Sequence, residues 1–196
     1  MSDEDRVLNW LEENYKSLIF GLIIGLITLY GYKLYISDRN TSQLMLSREY
    51  DIAVTAYKNG DTGKILEYSN KNRIDYPKNI YTNLSNLYSA KIMYDLNKLS
   101  DAHVYLNHII NTSSDNHIKN LAIYRKSKIL IDEGKYEDAL LILNNSDSYQ
   151  NIELKGDLYV VTGDYVSAIN NYKDVLTFSI TPNERKNIIS KINLIK

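Results

Sequence analysis

Few side chains in this sequence have the chemistry for acid–base catalysis or metal binding. Its three histidines are His103, His108 and His117, and cysteine is absent. His103 and His108 are five positions apart on one predicted helix, so they do not share a face as side chains three or four positions apart do. The adjacent carboxylates Asp132 and Glu133 precede a glycine and point in different directions, as at a solvated helix end. These residues predict neither a catalytic residue nor a metal site.

Motifs of nucleotide-binding and hydrolytic enzymes are also absent. The sequence contains no HExxH, GxGxxG, P-loop or GxSxG pattern. A formal net charge of −1 provides no basic excess for nucleic acid. We therefore expect no cofactor, no nucleic-acid partner and no small-molecule substrate. The lack of cysteine excludes disulfides and is compatible with an oxidising compartment such as a bacterial periplasm.

Tyrosine is the residue type best suited to binding another protein. The sequence contains 18 tyrosines, and several of them are expected in the core. Others can line a groove in which rings stack and hydroxyls form hydrogen bonds. The candidates for this groove are Tyr57, Tyr81, Tyr88 and Tyr94. For any single one of them a core position is the alternative, but the group predicts a protein-binding surface.

The longest apolar stretch lies near the N-terminus. Residues 18–36 read LIFGLIIGLITLYGYKLYI, and no charged residue occurs between Lys16 and Lys33. A helix of this length covers about 28 Å, close to the ~30 Å hydrocarbon core of a bilayer. Trp10 and Tyr15 precede the stretch, and further tyrosines occupy its far end, as in an aromatic belt. The pattern predicts a transmembrane helix in contact with membrane lipid, with a buried core helix as the alternative.

The exit of this segment indicates that it is not removed. It reads KLYISDRN and contains no small-x-small cleavage site, so we expect an uncleaved signal anchor. The anchor divides the chain into four predicted parts. These are a short N-terminal segment (1–16), the anchor (17–36), a linker or a continuation of the helix (37–42) and a second domain (43–196).

Positive charges do not decide which way the anchor is oriented. Arg6 and Lys16 precede it, and Lys33, Arg39 and Arg48 follow it. This count slightly opposes a cytoplasmic N-terminus, but the rule weakens when a large domain follows the anchor. The orientation stays open on charge alone.

Two glycines within the anchor are candidates for a contact between membrane helices. Gly21 and Gly25 are spaced as GxxxG, which allows two helix backbones to approach closely. The alternative is that they have no such role, because glycine is common in membrane helices.

The second domain carries repeated amphipathic helices separated by short polar turns. Three segments share a layout: a turn with Gly or Asn, an aromatic or aliphatic residue that packs back, and a small residue one turn into a new helix. The small residues are Ala102, Ala139 and Ala168, and twelve positions before them lie Ala90, Ser127 and Gly156 respectively. Such pairs allow two antiparallel helices to cross closely, which is typical of a tetratricopeptide hairpin. Successive alanines are 37 and 29 residues apart, against about 34 in a regular repeat.

The expected fold is therefore all-α. One N-terminal transmembrane helix is followed by a tetratricopeptide-like solenoid of antiparallel hairpins, with a nonspecific helical bundle as the alternative. The predicted hairpins pair 43–59 with 62–74, 79–96 with 99–111, 116–133 with 136–145, and 149–162 with 165–177. A last helix at 182–195 caps the stack, and Thr181 and Glu184 at its start predict a capping box around Pro182.

Several short segments of the chain also match a known family in the same order and at similar length. They are Trp10-Leu11-Glu12-Glu13-Asn14, Gly21-Leu22-Ile23-Ile24-Gly25, Gly31-Tyr32-Lys33, the residues 50–54, Gly156-Asp157-Leu158, Gly163-Asp164 and Lys191-Ile192-Asn193-Leu194. On these residues the sequence resembles the YfgM-like ancillary subunits of the bacterial SecYEG translocon. The resemblance covers effectively the whole chain.

The resemblance implies an inner-membrane protein with a cytoplasmic N-terminus and a periplasmic helical-repeat domain. The implied partners are the SecYEG translocon and a membrane-anchored periplasmic chaperone of the peptidyl-prolyl isomerase type. The implied role is non-catalytic: it hands emerging secreted proteins to periplasmic chaperones. Two alternatives remain, a scaffold of another cell-envelope complex in division or outer-membrane assembly, and a membrane-anchored enzyme, which would need a cluster of perturbed ionisable groups.

Overall fold

The computed structural model describes residues 3–195, except for the side chains of residues 3–5 and 37–40. Residues 1 and 2 of the predicted N-terminal segment, and residue 196, lie outside this range. Regular structure within it is helical and includes no strand, which confirms the all-α prediction. The helices are α1 (Asp3–Lys58), α2 (Gly63–Asp75), α3 (Ile80–Asp95), α4 (Leu99–Thr112), α5 (Asn116–Asp132), α6 (Tyr136–Leu143), α7 (Tyr149–Val161), α8 (Tyr165–Val175) and α9 (Pro182–Ile195).

Helix α1 is 56 residues long and contains the predicted anchor. Among the described helices it alone is long and apolar enough to cross a membrane. Its apolar side chains are exposed: Leu22 and Ile27 are each 66 % exposed and Leu29 is 67 % exposed. The buried core helix considered as an alternative is therefore wrong, because an apolar surface on every side is what a bilayer-spanning helix presents.

The backbone at residues 37–42 is helical. The sequence left a linker or a continuation of the helix open, and the structure has the continuation, since α1 extends to Lys58. The segment contains no glycine or proline that would end a helix there. The chain forms two compact units, Met1–Glu49 and Tyr50–Lys196.

In the second unit, consecutive helices pack against each other as hairpins. Helix α3 packs on α4, α5 on α6, α7 on α8, and α9 on α8. Contacts of α5 with α3 and with α7 bring odd-numbered helices side by side. From α2 to α9 the observed bounds lie within two residues of the predicted ones. The result is the predicted row of stacked helical hairpins.

The turns that end α1, α3, α5 and α7 share one backbone geometry. Gly60, Asn97, Gly134 and Gly163 have φ values of 91°, 58°, 74° and 81°, all in the left-handed region. In each turn the next N–H donates to the carbonyl five positions earlier, as Lys135 does to Leu130 at 2.8 Å. Gly and Asn tolerate this conformation, so a regular signal ends each of these helices.

The residues that open the following helices differ partly from expectation. Leu99 packs against the core, as predicted. In contrast, Tyr136 and Tyr165 are 37 % and 53 % exposed, so their rings do not fill the hairpins. A surface position leaves the phenol hydroxyl hydrated. The alanines one turn later, Ala139 and Ala168, are the residues that are fully buried there.

Three apolar clusters form the core of this unit. The first is centred on Leu87, Leu106 and Ile109, the second on Ile123, Leu143 and Leu158, and the third on Tyr172, Val175 and Ile188. Each cluster takes its members from neighbouring helices. The core is therefore assembled in sequence order, as in repeat proteins whose units contact only their neighbours.

Helix α9 closes the C-terminal end of the row. The predicted capping box at its start is confirmed: the Thr181 N–H donates to Glu184 Oε2 at 2.8 Å, and the Glu184 N–H donates to Thr181 Oγ1 at 3.3 Å. Ile188 is buried in the third cluster. A terminal helix with one apolar side prevents the last hairpin from exposing its own apolar face.

Helices α2 and α3 bury several polar side chains beside apolar ones such as Ile65 and Leu87. We call these polar residues the polar seam: Ser69, Asn72, Asn83, Asn86 and Ser89. The Ser69 hydroxyl donates to Asn86 Oδ1. Asn83 Oδ1, Asn86 Nδ2 and Ser89 Oγ have no hydrogen-bond partner among the described residues. Buried polar atoms without partners are costly, so this seam contributes less stability than the apolar clusters.

Candidate functional site

Two pockets lie on the side of the second unit where α3, α5, α7 and α9 meet, and we call them together the groove. The α3–α5 pocket has a volume of about 300 Å³ and is lined by Ala90, Lys91, Tyr94, Leu106, Arg125, Lys128, Ile129 and Asp132. The α5–α7 pocket has a volume of about 560 Å³ and is lined by His117, Asn120, Leu121, Tyr124, Ser148, Gln150, Glu153, Leu154, Asp157 and Lys191.

Helix α5 contributes to both pockets because its lining side chains lie along one face. His117, Leu121, Tyr124, Lys128 and Asp132 are three or four positions apart, and this spacing repeats on the same side of a helix. The N-terminal half of the helix lines the α5–α7 pocket, and the C-terminal half lines the α3–α5 pocket. A single helix face therefore connects the two pockets.

The α3–α5 pocket combines an apolar floor with a charged rim. Ala90, Leu106 and Ile129 are buried core residues at its base. On the rim, the Tyr94 hydroxyl donates to Asp132 Oδ2 at 2.9 Å and so joins α3 to α5. This hydrogen bond raises the pKa of the Tyr94 phenol, because the neighbouring carboxylate disfavours its ionisation.

Arg125 is a partly buried cation in this pocket. One of its guanidinium nitrogens, NH1, donates to the Leu87 carbonyl at 3.1 Å. Burial lowers the pKa of Arg125, and the phenols of Tyr88 and Tyr57 oppose this effect. Among the described residues no carboxylate lies within ion-pair distance of its guanidinium.

Lys191 in the α5–α7 pocket is paired differently. Its ammonium group donates to Glu153 Oε1 and to Asp157 Oδ1, both at 2.6 Å, and lies 5.5 Å from the centre of the Tyr172 ring. The Tyr172 hydroxyl donates to the same Asp157 oxygen at 2.7 Å. The cation of this pocket is thus fully paired, one negative charge is left over, and the network fixes α9 to α7.

A family model described as a tetratricopeptide repeat-like domain matches residues 8–195. The chain belongs to this family. The match includes most of α1 as well as every later helix. The tetratricopeptide-like fold predicted from the sequence is therefore confirmed.

Relatives in three bacteria carry the same name, ancillary SecYEG translocon subunit. The protein of Escherichia coli (strain K12) is 26 % identical over 196 residues, which cover 96 % of this chain and 93 % of that protein. The protein of Haemophilus influenzae is 24 % identical over 176 residues, 86 % of this chain and 84 % of that protein. The protein of Buchnera aphidicola subsp. Schizaphis graminum is 33 % identical over 131 residues, 64 % and 67 % respectively. These relatives confirm the resemblance to the YfgM-like subunits.

The four predicted groove tyrosines have different surroundings in this tetratricopeptide-like unit. Tyr94 lines the α3–α5 pocket. Tyr57 and Tyr88 pack edge to face with ring centres 5.0 Å apart, and Tyr81 packs against Tyr50 at 5.4 Å. These rings are partly buried, and they tie the end of α1 to α3.

The six predicted repeat-packing residues are all buried in this domain: Ala90, Ala102, Ser127, Ala139, Gly156 and Ala168. Gly156 makes the closest approach, because a Cβ atom there would lie 2.7 Å from Cε1 of Tyr172. The ring of Tyr172 on α8 therefore occupies the space that a side chain on α7 would need.

The histidines form no shared site. His103 Nε2 lies 2.9 Å from Glu133 Oε2, and His108 Nε2 lies 3.1 Å from the carbonyl of Pro77. Burial lowers the pKa of His108. His117 lies at the start of α5, where its N–H donates to Asp115 Oδ1. Within residues 3–195 no cluster of three or more His, Cys, Asp or Glu side chains is arranged to hold a metal ion.

Gly21 and Gly25 face open space in α1. A Cβ atom at either position would meet no atom within 4 Å. The chain itself therefore places nothing against the GxxxG pattern, and a contact through it remains a proposal that needs a second helix.

Sequence reasoning missed the charged members of the groove, above all Arg125, Lys128 and Lys191. The signal that marks the first two was the spacing of α5, on which polar side chains recur with a helical period between apolar ones. Lys191 could not be found in this way, because its partners Glu153 and Asp157 lie 38 and 34 positions earlier in the chain.

Proposed function

We propose that this chain is an ancillary, non-catalytic subunit of the SecYEG translocon in the bacterial inner membrane. The observation that carries the proposal is the extent of the likeness to proteins of that name. The Escherichia coli relative aligns over 96 % of this chain, so the likeness takes in both the apolar helix and the repeat unit. A tetratricopeptide-like domain is a protein-interaction fold, which supports action through binding.

The proposed domain arrangement follows the sequence. Residues 1–16 lie in the cytoplasm, residues 17–36 span the membrane, residues 37–42 connect, and residues 43–196 form the periplasmic repeat domain. The apolar surface of α1 supports the membrane-spanning part. Fusion of alkaline phosphatase after residue 196 tests the orientation: an active enzyme is expected, and an inactive fusion with an active cytoplasmic reporter contradicts it.

The proposed mechanism is colocalisation. The anchor confines the groove beside the channel exit, which raises the concentration of binding surface that an emerging chain meets. A membrane-anchored periplasmic chaperone of the peptidyl-prolyl isomerase type is the proposed second partner, to which secreted proteins are handed on. Support for a binding role comes from the groove, whose apolar floor and polar rim resemble those of protein-binding sites.

Crosslinking in native membranes tests the proposed function. Photo-crosslinking residues replace Leu26 in the anchor and Gln150 in the groove, and the crosslinked proteins are identified by mass spectrometry. We expect translocon subunits from the anchor, and chaperone or secreted proteins from the groove. Recovery of division or outer-membrane assembly proteins instead would support the alternative scaffold role and refute this one.

A further inference from the structure

The α3–α5 pocket holds more positive charge than its own carboxylates neutralise. Lys91, Arg125 and Lys128 line it, together with the single carboxylate Asp132. Lys91 is paired with Asp95, which lies one turn away at 2.7 Å. Asp132 is already the acceptor for the Tyr94 hydroxyl. Three cations thus face two carboxylates, Asp95 and Asp132, and among the described residues neither Arg125 nor Lys128 lies within ion-pair distance of a carboxylate.

These two cations, Arg125 and Lys128, lie three positions apart on α5 and face the same pocket. The Lys128 ammonium is 5.8 Å from the centre of the Tyr124 ring, a contact that leaves its hydrogen-bond donors free for another group. Arg125 uses one nitrogen for the Leu87 carbonyl and keeps the rest of its planar fork for an acceptor. A partly buried guanidinium gains most from a carboxylate, which it binds through two hydrogen bonds.

The neighbouring pocket provides a contrast within the same groove. There the single ammonium of Lys191 is held by two carboxylates, Glu153 and Asp157, both at 2.6 Å, so the excess charge of that pocket is negative. The two pockets therefore differ in the sign of their excess charge, and only the α3–α5 pocket suits an acidic group. The apolar floor of that pocket, formed by Leu106 and Ile129, suits an apolar side chain next to the charged one.

We propose that the α3–α5 pocket binds an acidic side chain, flanked by an apolar one, in an extended segment of an unfolded polypeptide, with Arg125 and Lys128 as the residues that select it. This inference rests on the proposed function, because it names the kind of segment that the groove accepts. The acidic group contacts the two cations, and the apolar group covers the floor.

Peptide binding to the full chain in phosphatidylcholine nanodiscs tests this. The probes are three fluorescein-labelled peptides with one Leu/Tyr/Ser framework, which carry Glu, Gln or Lys at the same two positions. Fluorescence anisotropy is measured at about 50 mM and about 300 mM NaCl, since salt screens exposed charges. We expect the Glu peptide to bind about ten-fold more tightly than the Gln peptide, as a charge-assisted hydrogen bond allows. The Lys peptide should bind most weakly.

Single substitutions test whether the α3–α5 pocket is the cause of the preference for the Glu peptide. Arg125→Gln and Lys128→Gln should each reduce the advantage of the Glu peptide by several-fold. Lys173→Gln, which removes the same charge from the exposed surface of α8, should leave it unchanged. Thermal melting establishes that each variant is folded. If Arg125→Gln unfolds the chain, Lys128→Gln and Lys128→Glu decide the matter, and Lys128→Glu should favour the Lys peptide.

The outcomes separate this inference from the proposed function. Equal binding of the three peptides, binding of none, or an equal effect of Lys173→Gln overturns the inference, even if crosslinking recovers translocon subunits. The inference is also overturned if sulfate competes with the Glu peptide and if the apolar residues of the peptide do not affect its affinity. The pocket is then a simple anion site. If the Glu peptide is preferred but no translocon subunit is crosslinked, the inference is supported and the proposed function is refuted.

Discussion

Arg125 and Lys191 show how similar residues have different roles in one groove. Both are partly buried cations on the side where α5 and its neighbours meet. Lys191 is fixed by Glu153 and Asp157 and joins two helices. Arg125 has only a backbone carbonyl, so its charge remains available to a ligand. The number of carboxylates nearby, and not the residue type, separates a structural cation from a binding one.

The contact between Gly156 and Tyr172 predicts the cost of a single methyl group. Alanine is a better helix former than glycine by about 1 kcal/mol, but overpacking costs about 1–3 kcal/mol. The ring of Tyr172 is held by its hydrogen bond to Asp157, so it does not shift easily. We expect Gly156→Ala to lower the free energy of unfolding by about 1 kcal/mol in urea denaturation. Gly21→Ala, where nothing lies within 4 Å, is the control: it gains helix propensity without a clash and should not lower the stability.

Tyr50 predicts a loss of stability at alkaline pH. Burial, with the neighbouring Tyr88 and Asp51, raises its pKa from 10.0 to about 12. The folded state therefore holds this proton more tightly than the unfolded state. The stabilisation is complete below pH 10 and is lost as pH rises from about 10 to about 12. We expect the stability of Tyr50→Phe to fall less steeply over this range, measured by urea denaturation at several pH values. Tyr165→Phe, on an exposed ring, should behave like the parent; a parent-like slope for Tyr50→Phe would contradict the assignment.

At the scale of elements, the left-handed turns set the hairpin boundaries. Each turn places Gly or Asn where the preceding helix ends, and this regularity is why the helix bounds could be predicted so closely. The same regularity did not predict which side chains follow. Tyr136 and Tyr165 fit the repeated pattern but lie at the surface, because the pattern fixes backbone position and not the depth of packing.

These turns predict a loss of stability for one substitution and almost no change for another at an equivalent position. Gly134→Ala puts a Cβ atom at a φ of 74°, which costs about 1–2 kcal/mol. Asn97→Gly puts glycine at a φ of 58°, a conformation that glycine adopts without steric cost, and should change the free energy of unfolding by less than about 0.5 kcal/mol. Chemical denaturation measures both. An equal loss in the two variants would show that the backbone conformation is not the cause.

At the scale of the whole molecule, the anchor is the part that composition alone predicted. The length, the missing charges and the aromatic flanks of residues 18–36 are all local properties, which a sequence displays directly. The groove is the opposite case. Its charged residues come from α3, α5, α7 and α9, and only packing brings Lys191 to Asp157. Local signals therefore predicted the helices and their order, whereas the pairing of distant charges could not be derived from spacing.

The anchor also predicts the effect of one charge on membrane association. Leu26 lies near the middle of the apolar stretch, where an arginine costs about 2.5–3.5 kcal/mol of insertion. We expect Leu26→Arg to shift the protein toward the soluble fraction after alkaline carbonate extraction. Ile52→Arg, an exposed position in the second unit, serves as the control and should stay in the membrane fraction. Equal retention of both variants would argue against a bilayer-spanning role for this stretch.

The polar seam has a consequence for how the repeat unit opens. Because repeat proteins are stabilised by contacts between neighbours, the weakest contact is where they separate first. Amide hydrogens of α2 should therefore exchange with deuterium sooner than those of α7 and α8, which are joined by the Tyr172 cluster. Helix α3 stays packed on α4 through Leu87 and Ala90. The unit would then unzip from its N-terminal side, while the C-terminal hairpins and the groove that they carry stay closed.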